Sequence, residues 1–254
     1  MHVSDKRTLH LPLRLEAIVR MVSRVDCVAD IGSDHGLVPL ALVGRGIVGR
    51  AIAIEVALGP LQAVKAAFER QHYRLEARLG DGMQPLRQGE VQGVVVAGMG
   101  GATIWRILTD AYAGKLLKAD LPELVLQPMD APGLIRWFAR RSGYEIDRDV
   151  WLGDRGISYN VLRLTAPAAL READFAGAYD EFLKLSIKSR VELEYGSAVY
   201  DLTNAAFAAH WRLQVAKHKR IVAHLERSVS VEAKRRYAQV MEWLDGMNRL
   251  RPFE

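Results

Sequence analysis

Residues 25–36 read Val-Asp-Cys-Val-Ala-Asp-Ile-Gly-Ser-Asp-His-Gly, and the reading of this stretch decides the fold. Val25, Cys27, Val28, Ala29 and Ile31 form a short apolar run that a glycine turn ends, and Leu37-Val38-Pro39-Leu40-Ala41-Leu42-Val43 follows. Such a run, closed by glycine and succeeded by a longer apolar segment, predicts a buried strand, a tight loop and a helix. Its lack of polar alternation is what a strand buried on both faces shows, so a parallel sheet is expected. Open α/β sheets bind ligands beyond the carboxyl ends of their strands, which makes residues 30–36 a candidate ligand loop.

Working outward, residues Leu9 to Ser23 place Leu13, Ala17, Ile18 and Met21 at helical spacing, with Arg14, Glu16 and Arg20 read as a basic outer face. Gly49 to Glu55 is a second apolar strand, ending in a carboxylate, and Gly59-Pro60 opens a helix through Phe68. Proline suits a first helical turn, where its missing N–H is not needed. Leu75 to Leu79 is a third strand, closed by Gly80-Asp81-Gly82. Gly93 to Ala97 is a fourth, running into Gly98-Met99-Gly100-Gly101 and a helix with Ile104, Trp105, Ile107 and Leu108. Glu123 to Leu126 is a fifth, ending at Gln127-Pro128 before a helix with Leu134, Ile135, Trp137 and Phe138. Tyr144 to Leu152 and Ile157 to Thr165, separated by Gly153-Asp154-Arg155-Gly156, read as a hairpin. Alternating strands and helices imply a parallel sheet with helices on both faces, and the terminal hairpin adds one antiparallel strand.

After Thr165 the texture changes. Residues 166–172 read as a connector, and Tyr179 to Val191 and the stretch from Asp201 onward carry no strand signal. Trp211, Val215, His218, Val222 and Leu225 step by four and three, as do Ala233, Tyr237, Val240, Leu244 and Met247. Two such helices joined around Ser228-Val229-Ser230 predict an antiparallel, coiled-coil-like hairpin. Outside that seam lie Arg212, Lys217, Lys219, Arg220, Lys234, Arg235 and Arg236. They form either a solvated face or a surface for nucleic acid. The expected division is a domain at residues 1–165 and a helical arm at 173–254.

Composition narrows the classes. The 254 residues are 50% hydrophobic and 26% charged, an ordinary globular balance, with a net charge of +5 that suits a phosphate-rich partner. The one cysteine, Cys27, rules out an internal disulfide and a cysteine-cluster zinc site, and its mid-strand setting makes it core packing. No His, Cys and Asp cluster has metal-ligand spacing, so no metal is expected. The first ten residues hold no apolar core of a signal peptide, and no apolar run reaches the ~18 residues of a membrane span. A cytoplasmic protein is the expectation.

The candidate site lies along one sheet edge. Asp30-Ile31-Gly32-Ser33-Asp34-His35-Gly36 keeps the first and last glycines of a D-x-G-x-G-x-G pattern, with Asp34 in place of the middle one. Glu55 ends the next strand about 20 residues on, where an acidic residue holds ribose hydroxyls. Asp81, framed by Gly80 and Gly82, ends the third strand, and Gly98 to Gly101 ends the fourth. Each has a plainer reading: Glu55 as a solvated strand end, Asp81 as a turn residue, His35 as a helix cap. An NAD-dependent oxidoreductase is disfavoured, because G-x-G-x-x-G spacing is absent and Asp34 would repel a pyrophosphate. Asp34 suits a cation better.

The segments A-D-I-G-S-D-H-G, A-I-A-I-E-V-A-L-G-P, R-L-G-D-G, V-V-V-A-G-M-G-G and L-V-L-Q-P, in this order, closely resemble the bacterial tRNA (adenine(22)-N1)-methyltransferase family. The opening L-P-L-R-L-E-A-I resembles its N-terminal helix, and Glu194-Tyr195-Gly196 falls where the family has Phe-Gly before a helical arm. The resemblance covers nearly the whole chain. It implies a Rossmann-like class I methyltransferase sheet that binds S-adenosylmethionine, a coiled-coil-like arm, and action on N1 of an adenine in the D-arm region of tRNA. It carries Asp30, Gly32, Glu55, Asp81 and Gly98 across as cofactor residues, to which their loop neighbours Ser33, Asp34 and Gly82 are added; loop position, not the resemblance, puts Asp34, His35 and Met99 at the acceptor. Met129 stands where the family usually has Asn, and Tyr159-Asn160 where it tends to have Tyr-Glu; both positions are expected to bear on the target base. A non-catalytic RNA-binding protein with a retained methyltransferase fold is the alternative from another class.

Overall fold

In the computed structural model, residues 9–71, 73–114, 116–119, 122–166, 173–201 and 203–251 are described. The elements of the first part are α1 (Leu13–Met21), β1 (Val25–Ile31), α2 (Leu37–Gly44), β2 (Val48–Glu55), α3 (Leu58–Glu69), β3 (Leu75–Leu79), β4 (Gly93–Met99), α4 (Gly101–Ala113) and α5 (Leu116–Ala119). Then come β5 (Glu123–Pro128), α6 (Pro132–Ser142), β6 (Glu145–Asp154) and β7 (Ile157–Thr165). The last part holds α7 (Ala178–Lys184), α8 (Ile187–Tyr195), a 3-10 turn (Gly196–Tyr200), α9 (Ala205–Leu225) and α10 (Val231–Leu250).

The seven strands form one sheet in the order β3-β2-β1-β4-β5-β7-β6. β1 pairs in parallel with β2 and β4, and β2–β3 and β4–β5 are parallel too, while β7 runs antiparallel to both β5 and β6. β6 therefore points the same way as β5. The carboxyl ends of β1, β2, β3, β4, β5 and β6 share one edge.

Side chains of a strand alternate between faces, and β1 feeds two cores by this rule. Cys27, Ala29 and Ile31 pack with Ile104, Leu108, Leu134 and Phe138 of α4 and α6. Val28, with Val95 and Val125, packs with Ile18, Val19 and Leu42 of α1 and α2. Helices thus cover both faces, as the unbroken apolar strands require. Cys27 is fully buried, and burial pushes its thiol up to about 11, which fits core packing.

The arm is joined to the sheet rather than tethered beside it. Trp151 of β6 shares a core with Val191, Tyr195, Phe207, Trp211, Leu244 and Met247, and its ring meets Phe207 edge to face at 5.3 Å. α7 adds Ala178 and Phe182 to the core under α6. Side chains of Asn204 and Ser230 cap α9 and α10 by accepting from Phe207 N (2.9 Å) and Ala233 N (3.1 Å). The expected seam forms, and it is buried at Trp211, Val215, Val240, Leu244 and Met247 but only half-buried at His218, Val222 and Leu225. The hairpin leaves the body at one end and becomes wetter toward Ser228. The connector at 166–172 lies, apart from Ala166, outside the described residues. Among those described, no helix is long and apolar enough to cross a membrane and no cluster of ligating side chains could hold a metal.

Candidate functional site

The loop after β1 is built around Gly32, whose backbone stands at φ 70° and donates its N–H to Ile54 O at 2.8 Å. A Cβ there would lie 2.2 Å from the terminal methyl of Met99, so the loop and the end of β4 close on each other across a bare glycine. Asp34 takes the left-handed conformation, φ 55°, that the missing middle glycine would have had, a conformation aspartate tolerates better than most residues. Its backbone N–H donates to Glu55, tying the β1 loop to the end of β2.

Two carboxylates are sunk in this edge. Asp30 is 4% exposed and accepts from Ser33 Oγ at 2.6 Å; desolvation outweighs that bond and pushes it up to about 7. Glu55 is 6% exposed, and burial, followed by the nearby Asp34 charge, raises its pKa as well. The solvated-strand-end reading of Glu55 is thereby removed. The side chains of Asp34 and His35 are exposed, with Asp34 Oδ1 3.8 Å from His35 Nε2. The helix after the loop begins at Leu37 with Gly36 as its N-cap and no side-chain cap bond, so His35 caps nothing.

Asp81 is not free. Arg106 of α4 donates to both of its oxygens, at 2.9 and 3.0 Å, and holds its carboxyl below the usual range. Both residues line a cavity of about 290 Å³ with Gly82, Met83, Ile107 and Leu116. Any ligand group reaching Asp81 would share it with the Arg106 guanidinium, which the sequence did not foretell.

The far half of the edge contains residues that sequence reading passed over. Arg14, assigned above to the outer face of α1, instead turns inward. Its Nη1 donates to Gln127 Oε1 at 2.7 Å, its guanidinium lies 5.6 Å from the Tyr159 ring centroid, and a Cβ on Gly98 would stand 3.5 Å from Nη1. Gln127 is fully buried, and its Nε2 donates to Pro128 O at 2.9 Å. Asp130 accepts from Gly101 N at 2.7 Å, where α4 begins, and Met129 is 51% exposed beside it. Ala131 follows at φ 44°, an unusual conformation for alanine and a mark of a tightly specified loop. Gly98 stands at φ 77° between these groups and the β1 loop. The sequence pointed here through Gly98 to Gly101, Met99 and Met129, while Arg14, Gln127 and Asp130 gave no signal of their own.

Asn160 belongs elsewhere. It is 3% exposed, accepts from Arg136 Nη2 at 2.9 Å and donates to Asp149 Oδ1 at 2.7 Å. Arg136 also donates to the carbonyls of Leu193 and Glu194 at the end of α8. This buried network fastens the arm to β6, β7 and α6, so the expectation that position 160 shapes the target-base site is corrected.

The donor set fits a cationic nucleoside-type cofactor. Asp30, Glu55 and Asp34 gather three carboxylates at the β1–β2 end, a surrounding that stabilises a sulfonium and an ammonium and repels a diphosphate. The bare backbone at Gly32 gives the close approach such a ligand needs.

The methyltransferase-domain family matches residues 11–162. The tRNA (adenine(22)-N(1))-methyltransferase of Bacillus subtilis strain 168 is 30% identical over 226 residues, which is 88% of this chain and 89% of that protein. The crystal structure of the B. subtilis m1A22 tRNA methyltransferase TrmK superposes with a TM-score of 0.78 at 24% identity, covering 95% of this chain and 99% of that one. The Streptococcus pneumoniae protein Sp1610, solved with S-adenosyl-L-methionine, gives a TM-score of 0.71 at 23% identity over 95% and 99% of the two chains.

Proposed function

This chain belongs to the tRNA (adenine(22)-N1)-methyltransferase family, and from that premise we propose that it transfers the methyl group of S-adenosylmethionine to N1 of adenine 22 in tRNA. The observation that supports this most is the division of one sheet edge. Buried carboxylates gather where a cationic cofactor would lie, and Gly98, Met99 and Arg14 stand beside them, with the buried Gln127 holding the Arg14 guanidinium.

When bound, S-adenosylmethionine would supply a sulfonium methyl: the N1 lone pair attacks the methyl carbon in line, and the carbon–sulfur bond breaks as the carbon–nitrogen bond forms, its electron pair leaving with the neutral thioether S-adenosylhomocysteine. N1 carries no proton, so the protein needs no base to create the nucleophile. What its residues supply is alignment, which accounts for most of the rate enhancement in such a reaction. Asp30 and Ser33 hold the loop; Gly32 lets the cofactor approach; Glu55 takes the ribose; and Asp81 and Gly82, with Gly98, form the adenine side. Asp34, His35 and Met99 stand between that half and the acceptor mouth. The Asp34 carboxylate offsets the positive charge that develops on the adenine ring. N1 lies on the Watson–Crick edge, so the base must leave any pairing to enter.

The arm at 173–254 serves as the tRNA grip. Arg212, Lys217, Arg220, Lys234, Arg235 and Arg236 are all exposed, and none has an ion-pair partner among the described residues. Acting on tRNA places the enzyme in the cytoplasm. Labelled S-adenosylmethionine and unmodified tRNA test the reading: one methyl per tRNA, mapped to N1 of adenine 22, is expected. Transfer to another nucleotide would replace the acceptor, and no transfer to any tRNA would favour the non-catalytic alternative.

A further inference from the structure

The turn between β6 and β7 consists of Arg155 and Gly156, with Asp154 paired to Ile157 across it. Both turn residues lie in the left-handed region, Arg155 at φ 51° and Gly156 at φ 81°. Two-residue turns of this kind follow the right-handed twist of their strands, and Asn-Gly is their favoured sequence. Gly156 meets the demand. Arg155 does not, because an L side chain in left-handed backbone crowds its own carbonyl. Packing does not explain the choice: Arg155 is exposed, and no hydrogen bond or ion pair holds its side chain among the described residues. Strain kept at an exposed position, with no structural return, points to a use for the side chain.

The place of the turn says what use. β6, the outermost strand, ends at the same edge as β4 and β5, and the turn is tied to Arg14 there. The Asp154 carboxylate accepts from the backbone N–H of Arg14 at 3.4 Å, and the guanidinium of that same Arg14 faces Gln127 and the Tyr159 ring. Arg155 is one residue from Asp154, and Ile157 beside it is 52% exposed. A nucleotide turned out of its helix must have its flanking phosphates held, and phosphate contacts are what position a nucleic acid on its protein.

We propose that Arg155 is a tRNA-phosphate contact at the rim of the acceptor mouth, retained in an unfavourable turn position because its charge holds the strand next to the target adenine. The inference rests on tRNA being the substrate. Arg155→Asn tests it, since it gives the turn its preferred residue while removing the charge. The melting temperature should stay level or rise, and cofactor affinity should hold. KM for tRNA should rise about fivefold, and its dependence on log salt should become shallower by about one. Arg155→Lys should keep most of the tRNA affinity. A lower melting temperature for Arg155→Asn would show that Arg155 serves the hairpin, and an unchanged KM with an unchanged salt slope would show that its charge meets no phosphate; either overturns the inference. Wild-type protein that neither binds nor methylates tRNA would overturn the substrate reading first, and this inference with it.

Discussion

On the β1–β2 half of the carboxyl edge, the groups that meet are close in sequence: Asp34 and Glu55, joined by a hydrogen bond, are 21 residues apart. On the β4–β5 half, Arg14 and Gln127 meet from 113 residues apart, and Tyr159 comes from a hairpin on the other side of the chain. The first half is acidic, with Asp30 and Glu55 buried and Asp34 exposed at its lip. The second carries a guanidinium held by a buried amide, with the exposed apolar side chains of Met129 and Ile157 nearby in the chain. The first βαβ unit brings Asp30, Asp34 and Glu55 together by itself, whereas Arg14, Gln127 and Tyr159 meet only when the whole sheet has closed.

The sharpest way to break this comparison is at Gly32. A β-branched side chain at φ 70° is a severe outlier, and its Cβ would meet the Met99 methyl at 2.2 Å. Gly32→Val should lower S-adenosylmethionine affinity by about a hundredfold or more, while tRNA binding through the arm persists. Calorimetry with each ligand separates the two, and equal loss of both would show that the halves are not independent.

A smaller effect, with a sign that depends on pH, is expected at Asp30. Its folded-state pKa is raised from 3.8 to about 7, so the folded protein keeps a proton that the unfolded chain has released. Free-protein stability contributed by the neutral carboxyl is full below about pH 4 and is lost as pH rises toward about 7. Asp30→Asn keeps the acceptor for Ser33 and removes the buried charge. It should melt higher than the wild type at pH 8, match it below pH 4, and bind S-adenosylmethionine roughly thirtyfold more weakly. A variant less stable at pH 8, or one with full affinity, would take Asp30 out of the cofactor site.

The same contrast explains what could be read from the chain. The five parallel strands, the helices that follow the first, second, fourth and fifth of them, and the terminal hairpin were legible, because apolar runs and glycine turns are local signals. So were Asp30, Gly32, Glu55 and Asp81 as strand-end residues. Arg14 was misassigned, since helical periodicity shows only that a residue is off the apolar stripe, and Arg14 reaches across the mouth from there. Arg106 was passed over because its partner, Asp81, is brought to it only by sheet packing. Asn160 looked like an acceptor residue beside Tyr159, yet strand alternation sends it to the opposite face, into the Arg136–Asp149 network. The spacing runs on through His218, Val222, Leu225, Ala233 and Tyr237, yet it did not show that these are only half-buried, because the surface that buries the base of the hairpin ends with Trp151 and its neighbours.

The most direct measurement sets Glu55→Gln against Arg14→Met and determines, for each, the dissociation constant for S-adenosylmethionine and KM for tRNA. The split-edge account predicts that Glu55→Gln weakens cofactor binding about tenfold with tRNA KM nearly unchanged, and that Arg14→Met does the reverse. Both variants moving the same constant would contradict it.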